Sequence, residues 1–354
     1  MRIHVAAAVL SLCAFAAGQV ISQTPSGARL LALSKRDHTL SIVDPRTLQV
    51  EARIPSGDDP HEVEASTDGR AAYISNYGYG AFHTITVVDL MGRTQSKVID
   101  LTPLRAPHGL AFSDGKLWFT AEVNKVIGRY DPASGKVDFI LGTGQGRTHM
   151  VYVLPGSQRV VTTNVNSGTL SILDRIETPN AAPPGSPTGT SPPGGGYRPI
   201  VPSGGDWVAT VLPTGQGGEG FDVSPDGKEA WVANAGDGTI TIIDLAAKRV
   251  AETLNVNVKS ANRLKFTPDG KRVFVSMLGQ PDVIVLDAAT HKAVKRIPIG
   301  HGAAGILMQP DGARAYVACT PDNYVAVIDL KTLEVVGRID AGGNPDGLAW
   351  AIIP

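Results

Sequence analysis

Cysteine is nearly absent from the chain: of 354 residues only Cys13 and Cys319 are cysteines. Cys13 lies in the N-terminal apolar run, so removal of that run excludes an intrachain disulfide, and stability must come from packing rather than covalent staples. An excess of one charge is absent too. The formal net charge is -1, from 32 Lys and Arg against 33 Asp and Glu, with no basic run, which argues against nucleic acid or an anionic membrane as the main partner. No stretch is long and apolar enough to span a bilayer. The longest, Val5 to Ala17, follows a single Arg and contains an Ala14-Phe15-Ala16 triplet suited to a signal peptidase. Residues 1–18 therefore read as a cleaved secretory signal, and the mature chain is expected to be periplasmic or secreted, a monomer without a transmembrane segment. Leu12 stands where lipoprotein processing wants a small residue, which argues against lipidation at Cys13. There is no C-x-x-C-H for covalent haem, no G-x-S-x-G elbow and no P-loop. The Gly-rich runs Gly142 to Gly146 and Gly215 to Gly218 open no helix, which excludes a phosphate cradle of the usual kind.

What is present is a repeat. Its best-formed copy runs from Glu219 to Asn255 and holds four short strands, 220–224, 229–233, 239–243 and 250–254. Pro225-Asp226-Gly227 makes a tight hairpin between the first two. Thr239 to Ile243 alternates Thr outward with Ile inward at the period of a strand. An apolar strand ending in Asp recurs at Asp44, Asp89, Asp131, Asp174, Asp244, Asp287 and Asp329, with steps of 45, 42, 43, 70, 43 and 42 residues. These Asp residues read as turn formers whose side chains bond nearby backbone N–H groups. Four strands per unit and a period near 43 imply an all-β fold, a seven-bladed β-propeller of four-stranded antiparallel blades, because one such sheet cannot bury both its faces alone. A ring of blades buries its area between neighbours, so residues 19–354 can form one domain despite exceeding the usual size of a single core. The 40 Gly and 25 Pro are hairpin punctuation except in 176–206, a Pro/Gly-rich insert in blade four whose composition predicts a mobile loop on the Pro-Asp-Gly face.

The first repeat lacks its first strand, and Pro345 to Ala351 at the C-terminus resembles the missing piece. The C-terminal strand should pair with the N-terminal repeat and close the ring, removing free sheet edges.

Trp231-Val232-Ala233-Asn234, Tyr73-Ile74-Ser75-Asn76 and Tyr316-Val317-Ala318-Cys319 resemble the strand that names the YVTN-repeat family of β-propellers. The resemblance covers the mature chain and implies the fold; the family's members include surface, periplasmic and enzyme-associated proteins, so it implies no reaction.

Histidines gather on one face. His61, His108, His149 and His301 fall before first strands and His38 and His83 in loops between second and third strands, which share a face; only His291 falls on the other. His61, His108 and His149 occupy the same position in blades two, three and four, where later blades have Glu219, Asn262, Ala304 and Asp346. Three imidazoles and the Glu219 carboxylate converging on the axial funnel would suit a divalent metal ion, with a position left open for a ligand. Each of these histidines singly also fits a loop residue bonding a neighbouring backbone group. Asn76, Tyr77, Tyr79 and Phe82 lie on the same face, and Asn76, Tyr77, Tyr79, Asn262, His301 and Asp346 are candidate ligand-binding residues. Trp118 and Trp231 read as packing between blades, and Cys319 as a small buried hydrophobe or a soft ligand.

Blade three, with Pro107-His108-Gly109 and Leu117 to Val137, is similar to the blade pattern of streptogramin (virginiamycin B) lyases, over little more than one blade. That resemblance implies a divalent metal, usually magnesium, and a His base opening a lactone-type ester by elimination, with His108 and Glu122 as catalytic residues. Ala121 interrupts the corresponding W-F-T-E element and displaces Glu122 by one residue, and His149 stands in Thr-His-Met rather than P-H-G.

The chain is thus expected to be an exported binding module that holds a small-molecule ligand, a metal or an envelope protein partner at its His-bearing face. The alternatives are a metal-dependent lyase or lactone hydrolase using the same funnel, and a non-catalytic envelope scaffold contacting its partner through the insert.

Overall fold

Every repeat supplies three or four short runs of alternating or continuous apolar residues separated by Gly, Asp and Pro turns, and each run becomes a strand. The computed structural model describes residues 24–176 and 206–354. The predicted signal, 1–18, and residues 177–205 of the predicted insert lie outside them. Twenty-eight strands, β1 to β28 in chain order, form seven four-stranded antiparallel sheets. Six sheets are sequential. The seventh joins β28 (Pro345–Ile352) to β1 (Ala28–Ser34), β2 (Thr39–Asp44) and β3 (Gln49–Pro55), with Leu30 opposite Trp350 and Leu31 opposite Ala349. The expected ring closure is present.

The Asp residues that set the period act as expected in six repeats. Asp44 Oδ1 accepts the Arg46 N–H at 2.8 Å, and Asp287 Oδ1 accepts the N–H groups of Ala289 and Thr290 at 3.1 and 2.7 Å. Asp89, Asp131, Asp244 and Asp329 do the same. Asp174 differs because no tight turn follows it. Strand β14 (Thr169–Ile176) runs past it to the insert, and its carboxylate is held at 2.6 Å by Arg159 and by Lys248.

The reading of Thr239 to Ile243 as Thr outward and Ile inward needs correction. Thr241 is as buried as its neighbours, since a blade is stacked on both faces by the blades beside it. Its hydroxyl is satisfied by the Asn234 side chain at 3.0 Å, which a buried hydroxyl requires. Between blades five and six, Trp231, Ile242, Leu264, Phe266, Val273 and Val275 form one such interblade core. Burying each of these large side chains contributes roughly 1.5–3 kcal/mol. Trp118 and Trp231 are both core residues, as expected.

The innermost strands are β4 (Pro60–Ala65), β8 (Pro107–Ser113), β12 (Thr148–Val153), β16 (Gly218–Val223), β20 (Ala261–Phe266), β24 (Ala303–Met308) and β28. The register of each against its neighbour slips between the first and fourth residue, or close to it, as between Pro60 and Val63 and between Pro107 and Leu110. A bulge of this kind re-aims side chains away from the ladder. Here it turns the second and third residues of each inner strand toward the axis. The freed N–H groups are taken by hydroxyls of the adjoining strand, Glu62 N by Ser75 Oγ at 3.1 Å and Gly109 N by Thr120 Oγ1 at 2.9 Å.

Deleting residues 345–354 should remove the cooperative unfolding transition or lower Tm by at least about 10 °C, because Ala349 and Ala351 share a core with Leu31, Leu33 and Val63. A thermal melt followed by circular dichroism checks this. A truncated protein that melts like the full chain would show that the closing strand contributes nothing.

Candidate functional site at the channel mouth

The third position of the inner strands alternates. It is Gly in Gly347, Gly109, Gly220 and Gly305, and carries a side chain in Glu62, Met150 and Arg263. The strands crowd the axis so closely that a Cβ on Gly109 would lie 2.6 Å from the His149 carbonyl oxygen, and one on Gly347 would lie 2.6 Å from that of His61. Only every other blade can place a side chain there. The second position then fills the mouth with His61, His108, His149, Glu219, Asn262, Ala304 and Asp346.

The three aligned histidines do meet. Ring centroids of His61 and His108 are 4.4 Å apart and those of His108 and His149 are 3.8 Å apart. Tyr77, from the blade-two loop, stacks on His61 at 5.1 Å and donates its hydroxyl to Glu122 Oε2 at 2.7 Å. Glu122 is not displaced out of the site by Ala121. It is buried, and its carboxylate is shared by Tyr77, by Arg147 Nε at 3.2 Å and by His149 Nδ1. Glu219 closes the other side of His149, with Oε2 2.7 Å from Nε2 in a contact whose angle is not that of a hydrogen bond, and accepts from Arg147 Nη1 at 2.9 Å. On the far side, the Lys35 ammonium lies 2.8 Å from His61 Nδ1, 3.1 Å from Asp59 and 3.4 Å from Asp346, and Asp346 itself is 2.7 Å from His61 Nδ1.

These surroundings set the charges. Burial lowers the His108 pKa well below the usual imidazole value, and its neighbours His149, His61 and Arg263 lower it further, so His108 is neutral. Burial alone would also depress His149, but Glu219 and Glu122 outweigh it and raise its pKa. Burial would raise the two carboxylates, yet His149 and Arg147 hold both below the ordinary range. Asp346 is held at about 2, with burial outweighed by His61 and Lys35. His108 Nδ1 is buried and has no hydrogen-bond partner among the described residues.

Two sets of ligating atoms, each within 4.8 Å of one another, share His108: His61, Glu62 and His108, and His108, Glu122 and His149. Glu219 belongs to neither set and instead clamps His149. Asn76 is turned away from the mouth. It is buried and bonds Ser56 O, Thr84 Oγ1 and Thr86 Oγ1, the same interstrand bracing that Asn164 and Asn234 give their blades, so its role is to hold the loop and not to touch a ligand. Asn262 accepts Arg263 Nη1 on its carbonyl at 2.9 Å and its side chain at 3.3 Å. His301 is three-quarters exposed, paired with Asp322, and takes no part in the cluster. Tyr79 projects over the mouth, 89% exposed, with its ring 6.4 Å from Tyr77 and 5.9 Å from Lys35 Nζ. Cys319 is fully buried in the core, where burial pushes its thiol up to about 12, and it belongs to neither ligand set of the mouth.

Sequence reading missed Lys35, Asp59, Arg147, and the Glu62–Arg263 ion pair that crosses the channel between blades two and six. The last two had a signal. Glu62 and Arg263 stand at the position where four other blades carry Gly, one residue beyond the aligned histidines. One layer deeper, on the same strands, Glu64 is pushed up to about 7 by burial against the pull of Lys265, and Lys265 pairs with Asp222 at 3.4 Å.

No protein-family model matches the chain, and no curated protein matches it. Solved structures do. A protein of unknown function from Desulfotomaculum acetoxidans superposes with a TM-score of 0.69 at 13% identity, over 92% of this chain and 99% of that one. A candidate 6-phosphogluconolactonase from Bacteroides fragilis gives 0.70 at 14% identity, over 93% and 99%. The dihydro-heme d1 dehydrogenase NirN in complex with DHE gives 0.60 at 18% identity, and the match covers 88% of this chain but 63% of that one. At these identities the likeness establishes the seven-bladed propeller and nothing of the site. The YVTN resemblance accordingly stands on the fold, with no family match behind it. No helix among the described residues is long and apolar enough to cross a membrane.

The His149 clamp has a pH signature. A raised His pKa contributes stability in full below its unfolded value of 6.5, lost as pH rises through the folded value. A lowered Glu122 contributes in full above 4.5, lost as pH falls through its folded value. The cost of Glu122→Gln should therefore be greatest, about 3 kcal/mol for breaking a buried pair, between pH 4.5 and 6.5 and smaller on either side. Denaturant unfolding of both proteins across pH 3 to 9 measures it; a pH-independent difference would contradict the clamp.

Proposed function

We propose that the protein is an exported binding module that holds a divalent transition-metal ion at the mouth of its axial channel, with His108 as the central ligand. One observation carries this reading: a buried, neutral imidazole with an unpartnered Nδ1 belongs to both three-residue ligand sets of the mouth. A neutral ring nitrogen left without a partner inside protein costs free energy that a metal bond recovers. Two imidazoles and one carboxylate suit zinc, iron, manganese, nickel or cobalt and leave coordination positions free.

The two sets are unequally ready. Glu122 and His149 are already bound to each other and to Arg147, Tyr77 and Glu219. Glu62 has one ion-pair partner among the described residues, Arg263, and His61 meets Lys35 and Asp346 through Nδ1. The set of His61, Glu62 and His108 is thus the more available, while His149, Glu122 and Tyr77 brace the ring of His108 from the other side. When bound, the ion would act as a Lewis acid toward a small ligand entering over Tyr77 and Tyr79.

A second reading, opening of a lactone-type ester at the same mouth, is favoured by the hydrogen-bonded run Tyr77, Glu122, His149 beside neutral His108. That run is able to accept and pass on a proton. The fold shared with a candidate lactonase agrees with this reading without adding to it.

Titration of metal-stripped protein with Zn2+ or Co2+ by calorimetry should give one site per chain, abolished or weakened at least about 100-fold in His108→Ala, with the melting temperature of the stripped variant within a few degrees of wild type. Absence of binding in the wild type would overturn the metal reading. Under the second reading the metal-loaded protein turns over a panel of lactones, and Glu122→Gln lowers the rate about 100-fold; no turnover by fully loaded protein would leave the binding module alone.

A further inference from the structure

We propose that the mouth takes its metal together with a small carboxylate or oxyanion, and that Arg263, drawn off Glu62 by the ion, is the residue that binds the anion. The inference rests on the metal reading above and names the ligand class of that site.

Arg263 projects into the channel from β20, 5% exposed; its one ion pair among the described residues is with Glu62, which reaches it from β4 on the other side of the ring, and Asp346 and Glu219 act on it at longer range. The rest of its guanidinium is met only by the Asn262 carbonyl and side-chain oxygens. Glu62 is also the carboxylate of the available metal set. If Glu62 turns to the metal, a buried guanidinium loses its counter-charge. If it bridges the two, one negative charge faces a dication and a guanidinium in a space nearly closed to water. Either arrangement weakens the closest counter-charge of a buried guanidinium and leaves it only Asp346 and Glu219 at longer range, which is unfavourable. The second ligand set differs, since Arg147 is paired with Glu219 as well as with Glu122 and keeps that carboxylate when Glu122 turns to an ion. Only the set of His61, Glu62 and His108, on receiving the ion, takes from its arginine the one carboxylate paired with it.

An entering anion resolves both deficits, with one oxygen on the metal and the others on the planar fork of the arginine, a geometry that carboxylates and oxyanions match. The layer below is already neutralised by the Lys265–Asp222 pair, so the anion has its unmet partners at the mouth alone. No bond is made or broken in this step; Glu62 exchanges one cation for another.

The test uses the full mature chain in a buffer without coordinating anions, with Co2+ as the metal and acetate and inorganic phosphate as separate probes. In the wild type each effective anion should raise Co2+ affinity about ten-fold or more, within the usual range of coupling between sites, and Co2+ should raise the anion's affinity equally. In Arg263→Gln the coupling should fall below about two-fold while Co2+ still binds. Glu62→Gln frees Arg263 without any metal, so this variant alone, in its metal-free form, should bind the anion, and Glu62→Gln/Arg263→Gln should not. The double variant, which keeps a neutral hydrogen-bonding pair across the channel, serves as the folding control. Preference between acetate and phosphate decides which anion class is meant. Co2+ binding that no anion alters, or coupling that survives in Arg263→Gln, overturns the proposal. Failure of Co2+ to bind wild type while metal-free Glu62→Gln binds the anion would instead overturn the metal reading and leave the Arg263 anion site standing.

Discussion

Seven inner strands share one axis, and the space they leave each other governs the rest of the molecule. At the bulge of each inner strand the backbones approach so closely that a side chain fits at the third position in only three of the blades, the others being Gly. The same bulge swings the second position into the mouth. Crowding therefore does two things at once: it locks neighbouring blades backbone to backbone, and it forces seven second-position side chains, whatever they are, into one small volume. In this chain three of them are His and two are acidic, so the mouth becomes a network of ion pairs instead of an apolar plug.

The network is asymmetric, and the asymmetry is chemical. His149 is clamped by Glu122 and Glu219, and His61 faces Lys35, Asp346 and Tyr77. His108, between them, has ring neighbours on both sides and no hydrogen-bond partner for Nδ1. A structural His in a core ordinarily finds an acceptor or donor for each nitrogen. The surrounding charges could have supplied one at little cost, since Glu122 and Glu62 are both within reach of its ring. The flanking residues are instead held by arginines, and the free nitrogen at the centre is the feature on which the proposed metal site rests.

How much of this was legible depended on the range of each interaction. The Asp that ends each third strand bonds a backbone group two or three residues on, so its spacing alone revealed seven blades, and only Asp174, where the insert replaces the turn, departs from the pattern. The ring closure was visible because Pro345 to Ala351 repeats a local pattern. The trio of His61, His108 and His149 was visible because alignment of repeats is alignment around the axis. Asn76 shows the limit of that reasoning: its loop is on the correct face, but its side chain is spent on Thr84 and Thr86. His301, likewise on the correct face, stays outside the cluster because its backbone lies three residues short of the bulge that would have turned it inward.

Glu62 and Arg263 show the opposite limit. Alignment marks Glu62 and Arg263 as side chains where four other blades carry Gly, but it does not make them partners, and 201 residues separate them; only closure of the ring sets blades two and six face to face across a narrow channel. Sequence by itself determined the blade count, the strand order, the closing strand and the face on which histidine gathers, because each is written in local patterns repeated at a fixed period. Tertiary structure decided which of those residues pair, which nitrogen is left free and which arginine plugs the axis, because those depend on distances across the ring that no single repeat contains.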